Sequence, residues 1–236
     1  MIKILVTSDL HRYLPEIKEE FDLFLICGDI CPAHDHYYAF QIEWFENNFI
    51  PWVKQLPFKN ELSKVVMIGG NHDFFLEYMV YEAKLKLMQM SDNRLQILKF
   101  DLYQFPYYTE DNTINYLNIF GSSLCKRFGN WAFMYDTDRL RRFYENIPEN
   151  VDILITHDAP TLGNLGLIQE GGKEGLMAGN IALDEIILKR KPKYVFCGHI
   201  HTGNHILTEI EGIKMCNVSI KDEYYEPAYD IFKVEY

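Results

Sequence analysis

Short apolar runs separated by polar clusters make up most of the chain. Six of these runs are rich in β-branched and aromatic residues and predict buried strands, over 2–6, 23–27, 65–68, 116–120, 153–155 and 194–197. The stretches between them repeat apolar residues at helical spacing, over 40–56, 77–88, 139–144 and 182–188. Strands that alternate with helices predict an α/β fold. Three further strand-like runs in 205–236 predict antiparallel additions, and hence one mixed sheet or two packed sheets.

A polar cluster follows each of the six predicted strands. Five of these clusters contain side chains that can bind a metal ion, and the candidate ligands are Asp9, His11, Asp29, Asn71, His157, His199 and His201. Ligands of open α/β sheets bind beyond the carboxyl ends of the strands, so these separated positions are expected to converge on one crevice. Composition alone predicts the G-H-x-H pattern of 198–201 roughly 0.02 times in such a chain, which makes this motif informative.

The donor atoms indicate which ions the site would bind. Carboxylate, imidazole and amide oxygen favour Mn²⁺, Fe or Zn²⁺ over copper or iron–sulfur chemistry. The set exceeds the ligands of a structural zinc site, and a bridging carboxylate can hold two ions about 3.5 to 4 Å apart, as in phosphatases and nucleases. The five cysteines are widely spaced, which predicts reduced and mostly buried thiols rather than ligands. The pattern therefore predicts a binuclear hydrolase site.

Composition and charge narrow the class of protein further. A length of 236 residues, 48% of them hydrophobic, predicts a single globular domain over 1–236. The net charge of -11 argues against long duplex nucleic acid as a partner, because such binding depends on clustered Lys and Arg. The apolar runs are too short to span a membrane, and the first residues lack the apolar region of a secretory signal. We therefore expect no membrane association and a cytoplasmic location.

In their order along the chain, the polar motifs resemble those of the calcineurin-like metallophosphoesterase superfamily. They are D-x-H, G-D, G-N-H-D, H-D-A-P and G-H-x-H, between Asp9 and His201. The stretches 121–133, 156–163, 198–203 and 217–227 look like the metallophosphoesterase-domain (brain 239-like) phosphodiesterase branch. The resemblance implies a core of two packed mixed β-sheets flanked by α-helices, with a metal site at one end.

The resemblance also implies a role for each candidate residue. One ion would be bound by Asp9, His11, Asp29 and His201, and a second ion by Asp29, Asn71, His157 and His199. His72 matches the family histidine that contacts the substrate phosphate and assists the leaving group, and Asp73 is expected to orient His72. The implied cofactors are two divalent cations, with Mn²⁺ first and Fe or Zn²⁺ as alternatives.

The function implied by the resemblance is hydrolysis of a small phosphodiester or cyclic nucleotide by in-line attack of a hydroxide that bridges the metals. A phosphomonoesterase or a nuclease on the same core, and a non-catalytic metal-binding scaffold, stay open as alternatives. A Ser/Thr protein phosphatase is disfavoured, because 30–32 are Ile, Cys and Pro where that class has an acidic residue and D-R-G.

Two further sets of residues carry less specific signals. In 126–131, two cations and two aromatic rings predict Lys126, Arg127 and Trp131 as substrate contacts that hold phosphate and stack a base. A surface loop whose aromatic pair covers the core explains the same pattern equally well. His34, His36 and His205 match no motif, and we expect them to be solvent-exposed.

Overall fold

The computed structural model describes residues 1–169, 173–201 and 205–236. Its strands are β1 Lys3–Thr7, β2 Leu23–Cys27, β3 Lys64–Ile68, β4 Leu95–Ile97, β5 Phe100–Tyr108, β6 Ile114–Ser122, β7 Cys125–Lys126, β8 Met134–Tyr135, β9 Ile153–Thr156, β10 Tyr194–Cys197, β11 Thr208–Ile210, β12 Ile213–Asn217 and β13 Phe232–Glu235. Its α-helices are α1 Tyr38–Trp44, α2 Ile50–Lys54, α3 Phe74–Tyr78, α4 Tyr81–Met90, α5 Thr137–Tyr144 and α6 Ile181–Arg190. A π-helical turn, Phe45–Phe49, joins α1 to α2, and Leu162–Asn164 form a 3₁₀ turn.

Two mixed sheets form the centre of the fold. The first has the strand order β13–β1–β2–β3–β4, in which β13 is antiparallel to β1 and the remaining strands are parallel. The second has the order β11–β12–β10–β9–β6–β5, in which only the edge strands β11 and β5 are antiparallel to their neighbours. The predicted α/β fold of two packed mixed sheets is confirmed. In the tail, β11 and β13 are the predicted antiparallel additions, whereas β12 runs parallel to β10.

Alternate residues of the central strands face different layers of the core. In β1, Ile4 and Val6 pack between the two sheets, whereas Leu5 packs towards the helices α1 to α4. In β9, Ile155 lies between the sheets and Leu154 packs towards α5 and α6. Parallel strands buried on both faces appear in the sequence as continuous apolar runs, which is why these strands were predictable. The layers are therefore helix, sheet, sheet and helix.

The helices differ from their predicted extent where the backbone cannot follow one continuous α-helix. In 40–56, the π-helical turn directly precedes Pro51 at the start of α2. Proline has no backbone N–H to donate and its ring crowds the carbonyl four residues earlier, so the helix widens there. In 77–88, extended backbone at Met79 and Val80 separates α3 from α4.

The strand β5 was not predicted, and its sequence explains why. It contains Pro106, which is tolerated because β5 lies at the edge of its sheet. The longest helices in the described part of the chain are α4 and α6, with ten residues each. None of the helices described is long and apolar enough to cross a membrane.

Candidate metal centre

The loops that follow the parallel strands of both sheets meet at one end of the sandwich. Those after β1, β2 and β3 carry the candidates at 9–11, 29 and 71–73, and those after β9 and β10 carry the candidates at 157 and 199–201. The hydrogen bond between Nδ1 of His157 and the carbonyl of Cys27, 2.8 Å long, ties the two sets of loops together. The predicted convergence on one crevice is thus present in the structure.

Several of these side chains are aimed by unusual backbone conformations. Positive φ angles occur at Asp9 (58°), His11 (40°), Asp29 (52°) and His199 (67°). Asp and His tolerate this region better than most residues, and such conformations cluster at functional sites. Gly28 also has a positive φ of 96°, and a Cβ there would lie 2.6 Å from Nδ1 of His157. A side chain at position 28 would therefore displace a candidate ligand.

The donor atoms form two compact groups, Asp9, His11 and His201 in one and Asp9, Asp29 and His157 in the other, and Asp29 also lies close to His11 of the first group. In the first group, Nε2 of His201 lies 3.3 Å from Nε2 of His11 and 3.4 Å from Oδ1 of Asp9. In the second group, Nε2 of His157 lies 2.9 Å from Oδ1 of Asn71. Oδ2 of Asp29 lies 3.5 Å from Nε2 of His11 and 3.4 Å from Nε2 of His157. Asp29 thus occupies the position of a residue that could contact both ions.

His199 joins this arrangement through its backbone and its ring. Its N–H donates to both carboxylate oxygens of Asp9, at 3.1 and 3.2 Å. Its ring centroid lies 5.1 Å from that of His157, and its side chain lines the adjacent cavity. The seven predicted ligands therefore lie together, although their roles as ligands stay a prediction.

The chemistry of the donors fits divalent cations. Nδ1 of His157 and Nδ1 of His201 lie 2.8 and 3.0 Å from the backbone carbonyls of Cys27 and Asp222. A ring that donates its Nδ1–H to a carbonyl turns Nε2 towards the site, as metal-bound histidines in proteins commonly do. Carboxylate, imidazole and amide donors within a few ångströms of each other form the kind of set that Mn²⁺, Fe or Zn²⁺ binds.

Electrostatic interactions among the predicted ligands favour an ionised Asp29 carboxylate beside a protonated His157 ring. Burial opposes ionisation of Asp29, but the charges of His157 and His72 hold its pKa well below the usual range. Burial would also lower the pKa of His157, but the negative charge of Asp29 raises it from 6.5 to about 10. Burial lowers the pKa of His11 and of His199 to about 3. Without a cation, a proton on His157 therefore offsets the charge of Asp29.

His72 lies beside the ligand set, with its backbone fixed from two directions. Its N–H donates to Oδ1 of Asp29 at 2.8 Å, and its carbonyl accepts from Nε2 of Gln41 at 2.7 Å. Its ring centroid lies 5.1 Å from that of His11 and 4.7 Å from that of Trp131. The ring therefore lies between the predicted ligands and the aromatic wall of the cavity.

Asp73 makes different contacts from those expected. Its carboxylate accepts hydrogen bonds from the backbone N–H groups of Gly70, Ile30 and Cys31, at 2.9 to 3.2 Å, and is fully buried. Burial raises the pKa of Asp73 to about 6. The carboxylate thus joins the loops after β2 and β3 and makes no hydrogen bond to the ring of His72 within the described structure.

Sequence reasoning missed two residues at this site. His36 was expected to be solvent-exposed but is half-buried, with Nε2 at 3.1 Å from Nδ1 of His72. The ring of Tyr225 lies 4.8 Å from the rings of His11 and His201. No motif in the sequence marks His36, whereas Tyr225 lies in 217–227, a stretch that resembles the phosphodiesterase branch but to which no role was assigned.

The exposure of the remaining histidines, His34 and His205, and of the cysteines was also predicted. His34 is exposed, as expected, whereas His205 is half-buried and its Nε2 lies 2.8 Å from the carbonyl of Ser219. All five cysteines are free and buried, which confirms their predicted state.

A cavity of about 570 Å³ opens beside the ligand set. One part of its lining consists of candidate metal-site residues, Asp29, Asn71, His72, His199 and His201. Facing them are aromatic and apolar side chains, Phe128, Trp131, Leu176, Met177 and Tyr225. The cavity therefore has a polar floor and a largely apolar rim.

The predicted substrate contacts occupy different places relative to this cavity. Trp131 is part of the lining. Lys126 also lines it, but its ammonium donates to two carbonyls in 178–179, at 2.6 and 2.7 Å. Arg127 is not among the described lining residues, and its Nε donates to Asp136 at 3.1 Å. Of the three predicted contacts, only the ring of Trp131 thus faces the cavity without a competing polar partner, and the roles of all three stay predictions.

Comparison with known proteins identifies the class to which this fold and site belong. A family model described as calcineurin-like phosphoesterase matches residues 2–203. The chain belongs to the calcineurin-like phosphoesterase family, and its described residues contain two groups of side chains that could hold a metal ion.

Three similar proteins illustrate the relationship. UPF0046 protein T07D4.2 of Caenorhabditis elegans is 31% identical over 188 residues, which cover 70% of this chain and 46% of that protein. UPF0046 protein C25E10.12 of the same organism is 25% identical over 238 residues, with coverages of 97% and 79%. Human metallophosphoesterase domain-containing protein 1 is 26% identical over 206 residues, with coverages of 76% and 56%. The chain therefore spans about half the length of two of these relatives.

Solved structures share the fold at low sequence identity. TT1561 of Thermus thermophilus has a TM-score of 0.53 and 12% identity, covering 94% of this chain and 89% of that one. Phosphopantetheinyl Hydrolase (PptH) of Mycobacterium tuberculosis has a TM-score of 0.50 and 14% identity, with coverages of 94% and 90%. At these identities the similarity establishes the fold alone.

Proposed function

We propose that this protein is a binuclear metal-dependent phosphodiesterase that hydrolyses a small phosphodiester, with cyclic nucleotides as one class. The observation that carries the proposal is the carboxylate of Asp29, whose Oδ2 lies within 3.5 Å of both His11 and His157. Asp29 and His72 both line the same cavity. We propose Mn²⁺ as the first candidate ion, with Fe or Zn²⁺ as alternatives, because the donors are carboxylate, imidazole and amide.

The chain's own contribution is to hold charges and hydrogen-bond donors in fixed places. The carboxylate of Asp9 is held by the N–H of His199, and that of Asp29 by the N–H of His72. Two bound cations would supply an activated water molecule and neutralise charge on the phosphoryl oxygens. The ring of His72 then stands where it can donate a proton to the departing oxygen, a role typically worth about 10² to 10⁴-fold in rate.

The rim of the cavity favours a diester over a monoester. A monoester dianion brings two negative charges to the site, whereas a diester brings one together with a second organic group. The described lining contains two cations, Lys126 and Lys173, and the ammonium of Lys126 is engaged by backbone carbonyls. The aromatic rings of Phe128, Trp131 and Tyr225 offer apolar contact area for a second organic group.

The test compares two chromogenic esters on one enzyme. The protein is stripped of metal, reconstituted with Mn²⁺, Zn²⁺ or Fe²⁺, and assayed on bis(p-nitrophenyl) phosphate and on p-nitrophenyl phosphate. His72→Ala is assayed beside His34→Ala, a matched control because His34 is exposed and its ring contacts only that of Phe40 among the described aromatic residues, at 5.6 Å.

The proposal expects faster diester hydrolysis that requires metal and His72 and survives His34→Ala. Faster monoester hydrolysis would replace it with a phosphatase. No turnover of either ester by a protein that binds two metal ions would indicate a scaffold and contradict the proposal.

A further inference from the structure

A second histidine lies directly behind His72. Nε2 of His36 is 3.1 Å from Nδ1 of His72, and the two ring centroids are 5.3 Å apart. His36 is itself held between two aromatic rings, with centroids 5.2 Å from Trp131 and 5.1 Å from Phe74. The contact joins the loop after β2 to the loop after β3, from positions 36 residues apart.

No other residue described in the structure makes a hydrogen bond to the ring of His72. The neighbouring carboxylate of Asp73 is occupied by three backbone N–H groups. The backbone of His72 is fixed separately, because Gln41 donates to its carbonyl at 2.7 Å and accepts from the N–H of Phe75 at 3.0 Å. Within the described structure, the contact with His36 is thus the hydrogen bond made by the ring of His72, whose faces and edges pack against His11, Trp131 and Tyr225.

We infer that His36 is a positioning residue that acts through His72. Its Nε2 holds Nδ1 of His72, which turns Nε2 of His72 towards the cavity and towards the departing oxygen of a bound ester. The inference deepens the proposed phosphodiesterase function and rests on it.

In the reaction step, the nucleophile is a hydroxide that has already lost one proton to solvent, and its oxygen supplies the electron pair of the new bond to phosphorus. The bond to the leaving oxygen breaks and its electron pair goes to that oxygen, and Nε2 of His72 regains a proton from solvent after the step. The leaving oxygen takes the proton from Nε2 of His72. His72 keeps the proton on Nδ1, where it stays hydrogen-bonded to Nε2 of His36, so His36 stabilises both forms of His72 without losing or gaining a proton. Proton donation by a well-oriented His72 matters most when the leaving oxygen is a strong base.

The test uses His36→Phe, which keeps an aromatic ring between Trp131 and Phe74 but removes the nitrogen. kcat and KM are measured on bis(p-nitrophenyl) phosphate, whose leaving group is a weak base, and on diphenyl phosphate, whose leaving group is a stronger base. We expect kcat on diphenyl phosphate to fall about 10- to 100-fold and kcat on the nitrophenyl ester to fall less than about 3-fold. KM and metal content stay at the wild-type values. The same substitution at the exposed neighbour, His34→Phe, is the matched control.

Two further variants test whether the effect passes through His72. In a His72→Ala background, His36→Phe is expected to cause no additional loss, because residues that act as a unit are not additive. His36→Gln is expected to restore part of the rate on diphenyl phosphate, since its amide can again bond to Nδ1.

A readout that needs no turnover comes from ¹H–¹⁵N spectra of histidine-labelled protein without metal. The wild type is expected to show one ring tautomer for His72, and His36→Phe is expected to show a mixture of both.

The outcomes separate this inference from the proposed function. An active wild type with equal losses on both esters, an additional loss in the His72→Ala background, or an unchanged His72 tautomer in His36→Phe overturns the inference alone. A wild type that hydrolyses neither ester overturns the proposed function and the catalytic part of the inference together, while the spectra still test the contact between the two rings.

Discussion

The floor and the rim of the cavity are built in different ways. The floor includes Asp29 and Asn71, which lie in the loops that follow β2 and β3 and are each 2% exposed. The rim consists of Phe128, Trp131 and Tyr225 on loops between elements, where Phe128 is 58% and Tyr225 is 41% exposed. Strand ends hold charged groups at short, fixed distances, whereas loops can vary around them. We therefore expect the floor to determine the reaction and the rim to select the substrate.

The largest effect is expected from Asp29→Asn in the floor. The substitution keeps the size of the side chain but removes the charge that lies close to both His11 and His157. We expect loss of both metal ions and a fall in kcat of more than about 10³-fold. Metal analysis after dialysis, together with kcat on bis(p-nitrophenyl) phosphate, measures this. A variant that keeps two ions and normal turnover would show that Asp29 is not shared.

His72→Ala tests the one floor residue that is not a predicted metal ligand. The ring of His72 makes no hydrogen bond to the predicted ligands in the described structure, so metal content should be unchanged. The loss of a proton donor is expected to lower kcat by about 10²- to 10⁴-fold. The assay is turnover per bound metal ion, and full activity at normal metal content would refute the role of His72.

The pH dependence of metal binding tests the electrostatics of the predicted ligand set. The pKa of His157 is raised to about 10, so His157 carries a proton at neutral pH that a cation at Nε2 must displace. The apparent affinity for the ion that His157 would bind should therefore rise about tenfold per pH unit between about pH 6 and 9, and one proton should be released when that ion binds. Competition with a chelator at several pH values, and calorimetry in buffers of different ionisation enthalpy, measure both quantities. An affinity that does not change with pH would contradict this account.

The smallest effect is expected from a substitution in the rim. Tyr225→Ala removes a ring that lines the cavity, and an aromatic contact of this kind is worth about 3- to 10-fold in KM. kcat and metal content should change little. Tyr224→Ala is the matched control, because Tyr224 is adjacent, 75% exposed and absent from the described lining. Equal KM values in both variants would show that the rim at Tyr225 does not contact substrate.

The sequence by itself determined the layered fold and identified candidate ligands that directly follow its strands. Runs such as 23–27 and 153–155 are apolar at consecutive positions because both faces of a parallel strand are buried, and this pattern is visible along the chain. The candidate ligands were visible for the same reason, since Asp9, Asp29 and His157 directly follow such runs. Local pattern is enough where a residue's place depends on the strand before it.

Only the tertiary structure decided which partners the side chains take. His36 and His72 meet across 36 positions, Asp73 bonds to the loop after β2, and the cations of Lys126 and Arg127 pair with groups elsewhere. A sequence pattern reports burial and local backbone, but a hydrogen bond depends on the distance between two loops and on every competing donor near them. The roles of single residues around the cavity therefore follow from packing between distant segments, which no short stretch of the chain contains.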